Sequence, residues 1–123
     1  MKSILVVDDS PAILALVNLS LTKAGFNVSG ELSGSAALNA VQKNLFDLFV
    51  VDINMPGMDG FTLIRKLREL PDYTKTPILV LTAEEVGIER QQGKEAGASG
   101  WLVKPFQPAT LLAVVNKLLK DKD

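Results

Sequence analysis

The sequence predicts an α/β fold in which a doubly wound, all-parallel sheet of five strands carries helices on both faces. Five short apolar runs recur, at Ser3–Val7, Asn27–Leu32, Leu48–Val51, Ile78–Leu81 and Gly100–Val103, and each is followed by a segment with helix signals. Such alternation closes into a parallel sheet, because right-handed crossovers bring every strand back in the same direction and leave the helices on its faces. The 123 residues, 47% apolar and 22% charged, suit one compact domain spanning 1–123, with no linker or low-complexity stretch.

Each element has a local reason. Runs one, three and four are continuous in Val, Ile and Leu, as expected of strands covered on both sides. The second contains Ser29, Gly30 and Glu31 and reads as a less buried edge strand. Ser10-Pro11 places a cap and a first-turn proline at the start of helix one, which Gly25 closes. Ser33 or Ser35 opens helix two, which runs to about Asn44. Asp59 caps helix three, from Phe61 to about Leu70, where Pro71 stops it. Gly97 ends helix four, and Gln107-Pro108 opens a fifth that reaches the charged tail Lys120–Asp123.

Composition removes whole classes of chemistry. There is no cysteine and no histidine, so disulfides, thiolate or imidazole metal sites and serine–histidine triads are excluded. Thirteen Lys+Arg against fourteen Asp+Glu give a formal charge of −1, which argues against a nucleic-acid or anionic-membrane surface. The apolar run after Lys2 stops at Asp8-Asp9, far short of a signal-peptide core, so the expected location is cytoplasmic.

In open parallel sheets ligands bind beyond the carboxyl ends of the strands. Those ends carry Asp8 and Asp9 after strand one, Asp52 after strand three, Thr82 after strand four and Lys104-Pro105 after strand five. Taken singly, these are ordinary caps, turn residues, a β-branched strand residue and a solvated lysine. Together they crowd three carboxylates around one ammonium, an arrangement that a cation relieves. Oxygen-only ligands point to Mg²⁺, Mn²⁺ or Ca²⁺, and the small number of protein ligands favours Mg²⁺ with a phosphate partner.

The order Asp8-Asp9, Asp52, Thr82, Lys104-Pro105 resembles the receiver domain of two-component response regulators across essentially the whole chain. The stretch from Val50 to Gly60 is similar to that family's phosphoacceptor segment, and Val103-Lys104-Pro105-Phe106 to its lysine strand end. The resemblance implies a flavodoxin- or CheY-like strand order 2-1-3-4-5. It also implies a phosphoprotein in phosphorelay signal transduction, a switch rather than an enzyme acting on other substrates. Asp52 would accept a phosphoryl group from a histidine kinase. Asp9, Asp52 and the backbone carbonyl of Asn54 would hold Mg²⁺, with Asp8 acting through water. Lys104 and the Thr82 hydroxyl would stabilise phosphoryl oxygens, a burden of positioning and charge.

The same resemblance makes Thr82 and Trp101 the switch pair, Trp101 standing three residues before the lysine where Tyr or Phe is more usual. A larger ring with an N–H to satisfy implies a restricted inward swing. Gly87 and Gly93 suggest that helix four is the least rigid. Helix one has no charge from Pro11 to Thr22, and Ile13, Leu14, Leu16, Val17, Leu19 and Leu21 wrap more than one face, suggesting a phosphodonor docking surface with Leu14 in it.

Because the sequence shows no effector domain, output is expected through contact with a downstream protein. The segment from Gly100 to Phe106, with Asn54 and Glu84, resembles chemotaxis regulators of the CheY type, whose target is the flagellar motor switch. The alternative is a single-domain receiver outside chemotaxis, a relay shuttle or a regulator of another target. An aspartate-nucleophile phosphohydrolase would need a second Asp where Asn54 stands, and a flavin carrier's phosphate would be repelled by Asp8-Asp9.

Overall fold

The computed structural model describes residues 1–83 and 88–122, and the side chains among them except those of 88–90 and 122. In chain order the elements are β1 (Ser3–Val7), α1 (Pro11–Lys23), β2 (Asn27–Glu31), α2 (Gly34–Lys43), β3 (Leu48–Asp52), α3 (Gly60–Glu69), a 3₁₀ turn (Pro71–Tyr73), β4 (Ile78–Thr82), α4 (Ile88–Ala96), β5 (Gly100–Val103) and α5 (Pro108–Lys122). Among the described residues the strands form one sheet in the order β2-β1-β3-β4-β5, and every pairing is parallel. The expected fold class and strand order are both present.

The caps follow the sequence signals. Ser10 Oγ accepts the Ile13 N–H at 3.3 Å, Ser33 Oγ the Ala36 N–H at 3.2 Å and Asp59 Oδ1 the Thr62 N–H at 2.8 Å. Ser33, rather than Ser35, is therefore the cap of α2. Gly25 takes a φ of +98° just past α1 and Gly97 a φ of +113° just past α4, the left-handed closure that glycine allows.

Side-chain alternation along the strands divides the core in two. Leu5, Val7, Phe49, Val51, Ile78 and Val80 face α2, α3 and α4. Ile4, Val6, Leu48, Val50, Leu79 and Leu81 face α1 and α5. Strands β1, β3 and β4 are buried nearly throughout, whereas β2 alternates between partly buried and exposed positions, as an edge strand should.

One cation serves the fold alone. Arg68, near the end of α3, donates to the carbonyls of Tyr73 at 2.8 Å, Thr76 at 2.6 Å and Gly97 at 2.7 Å. It joins the end of α3, the 3₁₀ turn and the turn between α4 and β5, at the edge of the sheet away from the acidic rim. Burial pushes its guanidinium below the usual range, and the bonds to backbone oxygens compensate that desolvation. Arg68→Met should leave these carbonyls short of donors and cost about 3 kcal/mol, read as a lower urea midpoint. A midpoint matching the wild type would show that the clamp contributes nothing.

Candidate functional site

The carboxyl ends of the parallel strands share one edge, and the hydrogen-bond ladder runs a step past them. The Asp8 N–H donates to the Glu31 carbonyl at 3.1 Å, the Ile53 N–H to Leu81 at 3.2 Å and the Lys104 N–H to Thr82 at 2.6 Å. The backbone under each charged side chain is thereby pinned to the sheet. Asp8 and Asp52 are buried and Asp9 is exposed, and one carboxylate oxygen from each lies within 4.8 Å of the others.

Lys104 reaches across this group. Its Nζ lies 3.0 Å from Asp8 Oδ2 and 3.3 Å from Asp52 Oδ1. The other Asp8 oxygen accepts the Ser10 N–H at 2.9 Å, so the start of α1 is tied to the same carboxylate. Burial would lower the Lys104 ammonium, but its hydrogen bond to Asp8 and the charges of Asp52 and Asp8 outweigh it and hold the lysine above its ordinary value. Asp52 moves the other way. Burial first, then the Asp8 charge, raise its carboxyl from 3.8 to about 6, against the opposing effects of Lys104 and the Asn54 N–H. Three carboxylates around one ammonium leave excess negative charge in a pocket built only of oxygen donors, a donor set that fits a small hard cation such as Mg²⁺.

Thr82 is fully buried at the end of β4 and pairs in register with Val103. Trp101, two residues before Val103, pairs with Val80 and so shares its sheet face with Thr82. The indole is half-buried against the α3–α4 side of the core. A Cβ at Gly93 would come within 2.8 Å of Trp101 Cζ3 and 3.4 Å of Phe61 Cε1. Gly93 therefore has a packing role that the sequence reading, which took it as a loosener of the helix, did not contain. Gly87 and Glu84 lie outside the described residues.

Asn54 follows β3, and its N–H reaches Asp52 Oδ1 at 3.3 Å. The loop around it turns through Gly57, at φ +76°, and enters α3 at Gly60, whose N–H donates to the Ile53 carbonyl at 3.1 Å. Gly60 and Met58 stood out in the sequence only as part of the Val50–Gly60 stretch. A glycine as first helical residue directly after the capping Asp59 was the available signal.

The apolar character of α1 resolves into separate faces. Val17 and Leu21 are core residues. Leu14, expected in the docking surface, is half-buried over β2, its Cδ2 3.4 Å from the position a Cβ would take at Gly30. The exposed leucines are Leu16 and Leu19, beside a shallow groove that Pro108, Ala109 and Leu112 of α5 complete.

A parallel sheet with an acidic triplet and a lysine at the carboxyl ends of its strands has the arrangement of a receiver domain. Residues 4–116 match the response regulator receiver domain, and the chain belongs to that family. It is 40% identical over 119 residues to the response regulator PleD of Caulobacter vibrioides, covering 97% of this chain and 26% of that protein. To the transcriptional regulatory protein PrrA of Mycobacterium tuberculosis it is 40% identical over 119 residues, covering 97% of this chain and 50% of that one. The chain thus spans about half or less of the length of these curated relatives. Among solved structures, the chemotaxis protein CheY4 of Vibrio cholerae superposes with a TM-score of 0.94 at 43% identity, covering 96% of this chain and 98% of that one. A putative response regulator from Chloroflexus aurantiacus gives 0.92 at 38%, covering 97% and 98%. The family is one of signalling switches in two-component systems that meet histidine kinases and downstream targets, and its acidic pocket uses Mg²⁺. Among the described residues no helix is long and apolar enough to cross a membrane.

The raised Asp52 carboxyl has a consequence for stability. The folded state holds this proton more tightly than the unfolded chain, so stability falls as pH rises from about 4 through about 6. The cost at higher pH is on the order of 3 kcal/mol. Without metal, Asp52→Asn should therefore be more stable than wild type at pH 7.5 by about 1–3 kcal/mol, with the gap closing toward pH 4. Denaturant titrations at several pH values measure it, and a gap independent of pH would show that Asp52 is not strained by its surroundings.

Proposed function

We propose that this chain is a single receiver domain, switched by phosphorylation of Asp52 and signalling through contact with another protein, in chemotaxis. The observation that supports this most is the buried Asp52 carboxylate, 3.3 Å from the Lys104 ammonium and grouped with Asp8 and Asp9. In this reading Asp9, Asp52 and the Asn54 carbonyl hold Mg²⁺, with Asp8 acting through water. Bound there, the ion supplies neutralising charge for phosphoryl oxygens.

An Asp52 carboxylate oxygen attacks phosphorus on the phosphohistidine of a kinase. The new O–P bond forms as the P–N bond breaks, and the departing imidazole takes a proton from solvent. With its carboxyl at about 6, Asp52 is mostly ionised at neutral pH and needs no histidine base. Lys104 sits beside the reacting carboxylate and pairs with a phosphoryl oxygen, and the Thr82 hydroxyl donates to another. Thr82 and Trp101, on one face of the sheet, carry the change toward α4, and the close packing of the indole on Gly93 restricts how it turns.

The likeness to Vibrio cholerae CheY4, nearly complete in both chains, supports chemotaxis and a motor-switch target. The similar identity to PleD and PrrA supports the second reading, a receiver with a target outside chemotaxis. The formal charge of −1 disfavours direct nucleic-acid or membrane contact by this domain, and a kinase donor sets the reaction in the cytoplasm.

Incubation with acetyl phosphate and Mg²⁺ should add one phosphoryl group to the wild type and none to Asp52→Asn by mass spectrometry. Emission from Trp101, the only tryptophan, should change in the wild type alone. An unmodified wild type, or a label on the Asp52→Asn variant, would sink the proposal. The exposed Leu19 is placed in the kinase docking surface. Leu19→Glu is expected to slow transfer from the kinase roughly tenfold while sparing acetyl phosphate, and equal loss with both donors would remove the docking role.

A further inference from the structure

The loop between Asp52 and α3 is held from outside the site as well as from within it. Met55 is buried beneath it. Gly60 lies so close that a Cβ there would stand 2.5 Å from the Asp52 carbonyl oxygen and 2.6 Å from Ile53 Cα. A further fastening comes from α2, where Met58 lies over the buried Gly34. A Cβ at Gly34 would lie 2.7 Å from Met58 Sδ, 3.1 Å from its Cγ and 3.2 Å from its Cβ.

Gly34 is not among the residues with positive φ, so its backbone could accept alanine, and alanine would be the better helix former. What crowds a side chain there is Met58. The thioether alone could rotate aside, but the Met58 Cβ is fixed to the loop backbone, so a methyl at Gly34 also asks that backbone to give by a few tenths of an ångström. That loop carries Asn54 beside Asp52.

We propose that Gly34 is a positioning residue: the open space above it seats Met58, and the seated Met58 sets the Asn54 carbonyl and the Asp52 backbone in register. Its consequence for metal binding rests on the reading of that carbonyl as a ligand, whereas the seating itself does not.

The test compares Gly34→Ala, Met58→Ala and the double variant with wild type. In metal-free protein, Gly34→Ala should speed amide exchange several-fold at Gly60, whose N–H bonds to Ile53, with the far-UV spectrum and thermal midpoint little changed. Its Mg²⁺ dissociation constant, measured by calorimetry, should rise roughly tenfold. Because the proposed clash is with Met58, adding Gly34→Ala to Met58→Ala should change neither reading further. Unchanged exchange in Gly34→Ala, or the same increment in the Met58→Ala background, would overturn the proposal. A wild type that binds no Mg²⁺ would instead overturn the metal reading, and the exchange comparison would still decide the seat.

Discussion

Two buried carboxylates and one ammonium set the terms for the acidic end of the molecule. Asp8 and Asp52 repel each other in surroundings where water screens poorly, and Lys104 answers both at 3.0 and 3.3 Å. The repulsion and desolvation that remain appear in the raised Asp52 carboxyl. Such a cluster persists only because the backbone beneath it cannot relax. Parallel strands bring the side chains to one edge, and ladder bonds beyond the strand ends hold Asp8, Ile53 and Lys104 in place. The energy for that confinement comes from the apolar layers on both faces of the sheet.

Around this edge the chain repeatedly uses absent side chains to bring elements together. Gly60 lets the start of α3 touch the backbone of Asp52, Gly34 receives Met58, and Gly93 lies against the ring of Trp101. None of these glycines has a positive φ, so each is required by space rather than by conformation. At the opposite edge the logic is reversed. There a long side chain fills the gap, and Arg68 joins three segments through their carbonyls. The loop edge is thereby close-packed around small residues, and the far edge is tied by one guanidinium.

Much of the fold was legible because it is written in local terms. Strand boundaries came within a residue, since runs of Val, Ile and Leu end where side chains leave the core, and β3 and β4 each extend one step to include Asp52 and Thr82. Ser10 and Asp59 stood out as caps from composition and spacing. The alternatives left open at Ser33 and Ser35 were settled by which hydroxyl meets the Ala36 N–H. The 3₁₀ turn at Pro71–Tyr73 was seen only as a stop. The packing of Leu14 was not legible, because an uncharged helix gives little sign of which of its apolar faces meets the sheet. Packing over Gly30 half-buries Leu14, and leaves Leu16 and Leu19 outside.

By itself the sequence determined the kind of fold and the residue types at its reactive edge. Hydrophobic periodicity fixes which segments are strands, and parallel connectivity then sends every strand end to the same side. Which oxygen faces which nitrogen was decided only in three dimensions, where Asp8 meets Lys104 across 96 positions of chain. So were the seats of Met58, Trp101 and Arg68. These contacts join residues far apart in the chain, and their distances depend on how helices settle against the sheet, which local patterning does not encode.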